Sequence, residues 1–264
     1  MNELPSSLRA ALEAFVQRPR ILVGADFDGT LAPFATDPMQ SRAAPGALTS
    51  LSAAASLPGV SVALVSGRDL QTLRTLTAIP QASPIVLLGS HGSQSSLDHG
   101  AGSSTLDQGA RARLAAACAD LEEVAAAHPG TRIELKPGAV ALHTRGVETT
   151  VGEAALAAAM TLSTRYTGVR VIPGKQVVEL TVMETDKGYA LRALAAARGV
   201  DASAYFGDDV TDERAFAALD ARSGDVTVKV GEGNTLAAHR LETVDDVIAA
   251  LEFIVSTRRS VSRD

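Results

Sequence analysis

The chain has no tryptophan, and three tyrosines and six phenylalanines are its whole aromatic complement. Stacking platforms for nucleic-acid bases are therefore scarce, and a large core must be aliphatic. Positive charge is also in deficit: 24 Lys and Arg face 30 Asp and Glu, a formal net charge of −6. That balance gives no electrostatic reason to bind DNA, RNA or an anionic membrane surface, so a phosphate ligand must find local positive partners. Cysteine occurs once, at Cys118, which excludes an intrachain disulfide and a thiolate metal cluster. Within the helical stretch Leu114 to Leu121 it reads as a small buried hydrophobe. No apolar run reaches membrane-spanning length, and the opening residues, with Glu3 and Pro5, lack a signal-peptide core. A cytoplasmic monomer acting on a small molecule, with neither nucleic-acid nor membrane partner, is expected.

Against these absences stand two acidic segments, Asp26-Phe27-Asp28-Gly29-Thr30 and Gly207-Asp208-Asp209-Val210-Thr211-Asp212. Each follows an apolar run, Ile21 to Ala25 and Ala204 to Phe206, that reads as a buried parallel strand. Carboxylates are thereby placed at strand carboxyl ends, where open α/β sheets keep their active sites. Like charges gathered in one crevice repel, and a hard divalent cation with oxygen ligands relieves that repulsion, most often Mg²⁺ together with substrate phosphate.

Strands and helices alternate along the chain as in βαβ units. An amphipathic opening helix carries Leu4, Leu8, Leu12 and Phe15. The first acidic strand follows, then helix Gly46 to Ala55, strand Val60 to Val65 ending at Ser66-Gly67-Arg68, helix Asp69 to Ala78, and strand Ile85 to Leu88 ending at Gly89-Ser90-His91-Gly92. Ser93 to Ser104 is rich in Ser and Gly and reads as a linker or exposed hairpin. Beyond it the periodicity changes to a helix over Asp107 to His128, alternating strands Arg132 to Leu135 and Val140 to Thr144, a helix over Gly152 to Tyr166, and strands Val169 to Val171 and Gln176 to Thr181. From Lys187 the βαβ pattern resumes through helix Gly188 to Ala197, strand Ala204 to Phe206, a helix after Thr211, strand Val226 to Val230 and a last helix near Val244 to Ile254. Arg258 to Asp264 reads as a solvated tail. The fold class expected is α/β, a doubly wound, mainly parallel core (residues 1–104 and 182–264) interrupted by a smaller α+β cap (105–181).

The chemistry follows from residue types. Asp26 and Asp28, two apart where a strand opens into a loop, can project toward one side. One carboxylate can attack phosphorus while the other protonates the departing oxygen and later activates water. Ser66 and the loop amides at Gly67 offer donors to phosphoryl oxygens, although by itself Ser66 reads as the cap of the next helix. Lys187 offers a point charge for phosphate and for Asp26. Asp208 is the natural second metal ligand, with Asp209 and Asp212 as further candidates, and one of the three is expected to be only the cap of the helix after Thr211.

In order, the elements Asp-x-Asp-Gly-Thr, Ser, Lys and Gly-Asp-Asp-x-x-Asp resemble those of the haloacid dehalogenase superfamily of Mg²⁺-dependent phosphatases. Within it, the chain is similar to the trehalose-6-phosphate phosphatase family. That second likeness rests on Ser66-Gly67-Arg68, His91-Gly92, Glu134-x-Lys136, Leu142-His143-x-Arg145, Gly174-Lys175-x-x-x-Glu179, Asp186-Lys187-Gly188 and Tyr205 to Glu213. The resemblance implies that Asp26 is the nucleophile and Asp28 the general acid/base, that Lys187 assists catalysis, and that Ser66, Gly67 and Lys187 bind phosphate. It implies Mg²⁺ on Asp26, Asp28 (through its carbonyl) and Asp208, with Asp209 close by. It further implies that Arg68, His91, Glu134, Lys136, Arg145, Lys175 and Glu179 bind the sugar phosphate. Two positions depart from the family pattern, Ser90 where an acidic residue is frequent and Thr144 where an aromatic is. Three functions stay open on the sequence: a phosphatase for trehalose 6-phosphate, one for another sugar phosphate or a glycosyl-glycerate phosphate, or a non-catalytic sugar-phosphate sensor. Asp28 argues against the sensor, since a phospho-acceptor alone has no use for a neighbouring acid.

Overall fold

The computed structural model describes residues 4–97, 106, 108–136, 138–182 and 186–261. In chain order the elements are α1 (Ser6–Phe15), β1 (Ile21–Ala25), α2 (Ala47–Ala55), β2 (Val60–Val65), α3 (Leu70–Thr77), β3 (Ile85–Gly89) and β4 (Gln94–Ser95). There follow α4 (Gln108–Ala127), β5 (Arg132–Lys136), β6 (Ala139–His143), α5 (Thr149–Thr161), β7 (Arg170–Gly174) and β8 (Val177–Thr181). The last elements are α6 (Lys187–Arg198), β9 (Ala202–Gly207), α7 (Glu213–Ala218), β10 (Val226–Val230), β11 (His239–Leu241) and α8 (Val244–Val261). The chain divides into two compact units, Met1–His99 with Thr185–Asp264, and Gly100–Glu184.

In the first unit a seven-stranded sheet runs β11-β10-β9-β1-β2-β3-β4, parallel except for β4. Both faces are apolar because the side-chain period of a strand is two and both positions are hydrophobic. Val23, Val62, Leu64, Ala204 and Phe206 pack with α1, α2, α3 and α8, whereas Leu22, Ala63, Val65 and Tyr205 pack with α6 and α7. The chain leaves β1 toward β2 on one side and returns through β9 on the other. The order of strands therefore reverses at β1, which opens a crevice beyond its carboxyl end. Gly24 lets β1 carry the bulk of its neighbour, since a Cβ there would lie 2.9 Å from the Tyr205 ring.

The second unit is a four-stranded antiparallel sheet, β5-β6-β8-β7. Val140, Leu142, Val178, Leu180 and Val171 alternate onto the face that packs against Ala117 and Leu121 of α4 and Ala155 and Ala159 of α5. Cys118 is half-buried on that core rather than fully buried, and its thiol donates to Glu122 Oε1 at 3.6 Å.

Two further expectations need correction. Residues 258–261 of the expected solvated tail are instead the last turn of α8, and 262–264 lie outside the described residues; Arg258 is 5% exposed. Its guanidinium donates to the carbonyls of Val16, Arg18, Pro19 and Pro58, so a long-range partner set absent from the local sequence decides its burial. Helix α5 starts earlier than expected, because the Glu148 side chain accepts from the amides of Thr150 and Val151 and caps it, and it gives way to a 3₁₀ turn at Leu162–Thr164. Strand β11 has only three residues and no apolar run to announce it. Most of the Ser93 to Ser104 linker lies outside the described residues; its start forms β4.

Candidate active site

Asp26 directly follows β1, and its amide still donates to the Phe206 carbonyl of β9 at 2.9 Å, so the sheet ladder aims it into the crevice. Its Oδ2 lies 2.8 Å from Lys187 Nζ. Lys187 is the first residue of α6, whose start is fixed by Asp186 accepting from the Tyr189 amide. Both Asp26 and Lys187 are buried. The same ammonium lies 2.8 Å from Asp212 Oδ1, which also accepts from the Tyr205 hydroxyl at 2.7 Å. Asp212 Oδ2 accepts from the amides of Asp208 and Asp209 at 3.1 and 3.0 Å. Four donors thus occupy Asp212. It folds the acidic loop back on itself rather than capping α7, with which it makes no side-chain cap.

Asp208 accepts from Thr30 Oγ1 at 3.2 Å, and its carbonyl accepts from the buried Lys229 ammonium of β10. Gly29, at φ +80°, has no room for a Cβ because the Asp208 carboxylate sits over it; only glycine serves both the turn and the approach. One carboxylate oxygen from each of Asp26, Asp208 and Asp212 falls within a mutual 4.8 Å.

The electrostatics follow from this crowding. Burial raises the Asp26 pKa well above its ordinary value, and Asp212 and Asp208 add to that against the pull of Lys187. Burial, with Asp212 next, pushes Asp208 up to about 7. Burial disfavours the charge on Asp212 too, but Lys187 and the Tyr205 hydroxyl outweigh it and hold this carboxyl low. Burial likewise opposes the Lys187 ammonium, and the carboxylates of Asp212 and Asp26 overcome it and raise its pKa. Three carboxylates with one ammonium leave a buried negative excess, and two of the three resist ionisation for that reason. This all-oxygen donor set fits a hard divalent cation.

Asp28 and Asp209 stand outside this cluster. Asp28 receives the Arg68 guanidinium as a fork, Nε to Oδ2 at 2.6 Å and Nη2 to Oδ1 at 2.7 Å, with Ser41 Oγ at 3.0 Å from Oδ1. Asp209 Oδ1 accepts from the Val210 amide. Ser66, at the end of β2, is buried; its amide donates to Leu88 and its Oγ accepts from the Arg68 amide at 3.2 Å, a local turn bond. The His91 ring lies against Gly67, where a Cβ would be 2.7 Å from His91 Cε1. Ser90 and His91 both have positive φ, 48° and 54°, and their amides donate to Arg68 and Ser66. Two non-glycine residues in the left-handed region mark a loop held in place by its neighbours.

In the second unit, the sheet face opposite α4 and α5 carries Glu134, Lys136, His143 and Glu179. Lys136 Nζ reaches Glu179 Oε2 at 2.6 Å, and His143 Nε2 lies 2.6 Å from Glu134 Oε2. The Lys136–Glu179 pair runs diagonally across β6, where Ala139 and Ala141 leave room between β5 and β8, and the Glu134–His143 pair runs diagonally between neighbouring β5 and β6. The His143 bond, with Lys136 second among the favourable partners, holds the Glu134 carboxyl below its usual range against burial. Arg145 and Lys175 are exposed in the turns after β6 and β7, at one end of this sheet, where the Thr144 amide meets the Gln176 carbonyl.

The sequence reading missed Ser41, Tyr205, Lys229 and the pairing role of His143. Tyr205 and His143 sit inside the motif segments, whereas Ser41 and Lys229 carry no local signal.

The trehalose-phosphatase family pattern matches residues 24–244. The chain is 32% identical over 265 residues to a trehalose-phosphate phosphatase of Mycobacterium marinum and 33% identical over 266 residues to that of Mycobacterium tuberculosis, in each case over 96% of this chain and 65% of the relative. It thus spans about two thirds of the length of these curated relatives. Its fold matches the C-terminal domain of Candida albicans trehalose-6-phosphate phosphatase with TM-score 0.78 at 21% identity, covering 94% of this chain and 96% of that one. Aspergillus fumigatus trehalose-6-phosphate phosphatase matches with TM-score 0.66 at 26% identity, covering 94% and 97%. By residues matched and identity over nearly its full length, the chain belongs to the trehalose-phosphatase family.

Proposed function

We propose that the protein hydrolyses trehalose 6-phosphate to trehalose and phosphate. The observation that carries this is the buried Lys187 ammonium shared by Asp26 and Asp212 beside Asp208, at the switch point of the sheet. Asp26 attacks phosphorus; as its O–P bond forms, the P–O bond to the sugar breaks, and the sugar oxygen takes the electron pair and a proton from Asp28. Water then attacks the same phosphorus and gives a proton to Asp28, and the bond to Asp26 breaks to free phosphate. Lys187 holds Asp26 in line and compensates charge on the phosphoryl group. Asp26 and Asp208 are the residues that would hold Mg²⁺, which when bound supplies positive charge to a phosphoryl oxygen. Asp212, with all its lone pairs engaged, fixes Lys187 and the Asp208 and Asp209 amides. Ser66 and Gly67 bind phosphate, with Arg68 and His91 beside them.

The unit Gly100–Glu184 serves as the specificity unit, with Glu134, Lys136, Arg145, Lys175 and Glu179 as sugar ligands; hydrogen bonds from sugar hydroxyls to ionised groups are stronger than those between neutral partners. Among the described residues no helix is long and apolar enough to cross a membrane. Phosphate release from trehalose, glucose and sucrose 6-phosphates, with Mg²⁺ and with chelator, tests the reading. Mg²⁺-dependent preference for trehalose 6-phosphate supports it; preference for another ester discards the substrate assignment.

A further inference from the structure

Asp28 does not stand freely in the crevice. Its two donors differ in kind: Arg68 forks both oxygens, and Ser41 Oγ, 3.0 Å from Oδ1, adds a hydroxyl. Ser41 is 2% exposed although it lies in the irregular segment between β1 and α2. Its direction is fixed by a braced turn. Asp37 accepts from the Met39 amide, the Gln40 side chain donates to Asp37, and Arg42 donates to the carbonyls of Met39 and Ser41 at 2.9 and 2.8 Å. The Ala44 amide then returns the chain to the Leu31 carbonyl at 2.8 Å.

A guanidinium can only donate hydrogen bonds, so Arg68 suits Asp28 while the carboxyl is ionised. A serine hydroxyl both donates and accepts. Ser41 can therefore keep its bond to the same oxygen when Asp28 carries a proton and when it does not, the two states that phosphoryl transfer and hydrolysis need in turn. We infer that Ser41 is a positioning residue that holds the Asp28 carboxyl in line with the leaving oxygen through both halves of the reaction. This rests on the proposed role of Asp28 as proton donor.

The leaving group provides the test, because p-nitrophenolate departs as a stable anion and a sugar alkoxide does not. The ratio kcat/KM reports the first irreversible step, the one in which a proton is or is not required. For Ser41→Ala the expected result is a fall of about tenfold in kcat/KM for trehalose 6-phosphate, with the value for p-nitrophenyl phosphate within about twofold of wild type. Ser41→Thr, which keeps the hydroxyl, restores most of the loss. Asp28→Asn, measured alongside, shows the same separation of substrates more strongly. Equal losses on both esters in a folded Ser41→Ala protein, or no loss on either, overturn the role of Ser41 while leaving that of Asp28 intact. Failure of Asp28→Asn to separate the esters overturns both. Should Ser41→Ala not fold, Ser41→Cys, a poorer donor of similar size, is read by the same criterion.

Discussion

Lys187 Nζ lies 2.8 Å from Asp26 Oδ2, and both side chains are almost wholly removed from solvent. A buried charge with its partner removed is far more costly than the pair is stabilising. Lys187→Met leaves Asp26 and Asp212 crowded against Asp208 without the ammonium. Denaturant unfolding in chelator is expected to show a loss of about 3–5 kcal/mol, and turnover of any phosphate ester is expected to vanish. A variant as stable as wild type would mean that the pair is not the organising contact of the site.

Asp208 makes the metal-free protein sensitive to pH. Its pKa of about 7 in the folded state compares with about 3.9 in an unfolded chain. The folded state therefore holds this proton more tightly, so the associated stability is present below about pH 4 and is lost as pH rises through about 7. Bound Mg²⁺ would favour the ionised form and reverse the loss. Melting curves from pH 5 to 8 in chelator should show Asp208→Asn gaining on wild type as pH rises, with Mg²⁺ stabilising only wild type at pH 8. A constant difference across that range would contradict the assignment.

Much of this was legible in the sequence because chemistry and fold coincide at β1 and β9. There, apolar runs buried on both faces end in acidic loops, and sheet topology alone brings Asp26 and Asp208 together. Ser41 was not legible, because it reaches Asp28 only through the braced turn at Asp37 to Arg42. Arg258 looked like a tail residue because its carbonyl partners lie some 200 or more positions away in the chain. The Asp212 role was half-visible: its spacing from Asp208 suggested a cap or ligand, but the Tyr205 and Lys187 bonds that consume its lone pairs are tertiary. Likewise Glu134 and Lys136 showed one strand face, while their diagonal partners His143 and Glu179 depended on register with β6 and β8.

Glu179, proposed above as a sugar ligand, offers a test that separates sugar recognition from phosphoryl transfer. Its partner Lys136 is in the same four-stranded sheet, 2.6 Å away. Glu179→Ala is expected to raise KM for trehalose 6-phosphate at least about tenfold, the loss of one charge-assisted bond or more, with p-nitrophenyl phosphate nearly unaffected. Parallel changes on both substrates would remove Glu179 from substrate recognition.

Whether Asp26 forms the bond to phosphorus is decided by steady-state turnover of trehalose 6-phosphate by wild type and Asp26→Asn with saturating Mg²⁺. The variant is nearly isosteric and removes a charge that is already costly to bury, so its fold should persist. Its kcat is expected to fall by ~10³-fold or more, the consequence of removing a covalent nucleophile; a folded variant within about tenfold of wild type would mean that Asp26 is not the nucleophile.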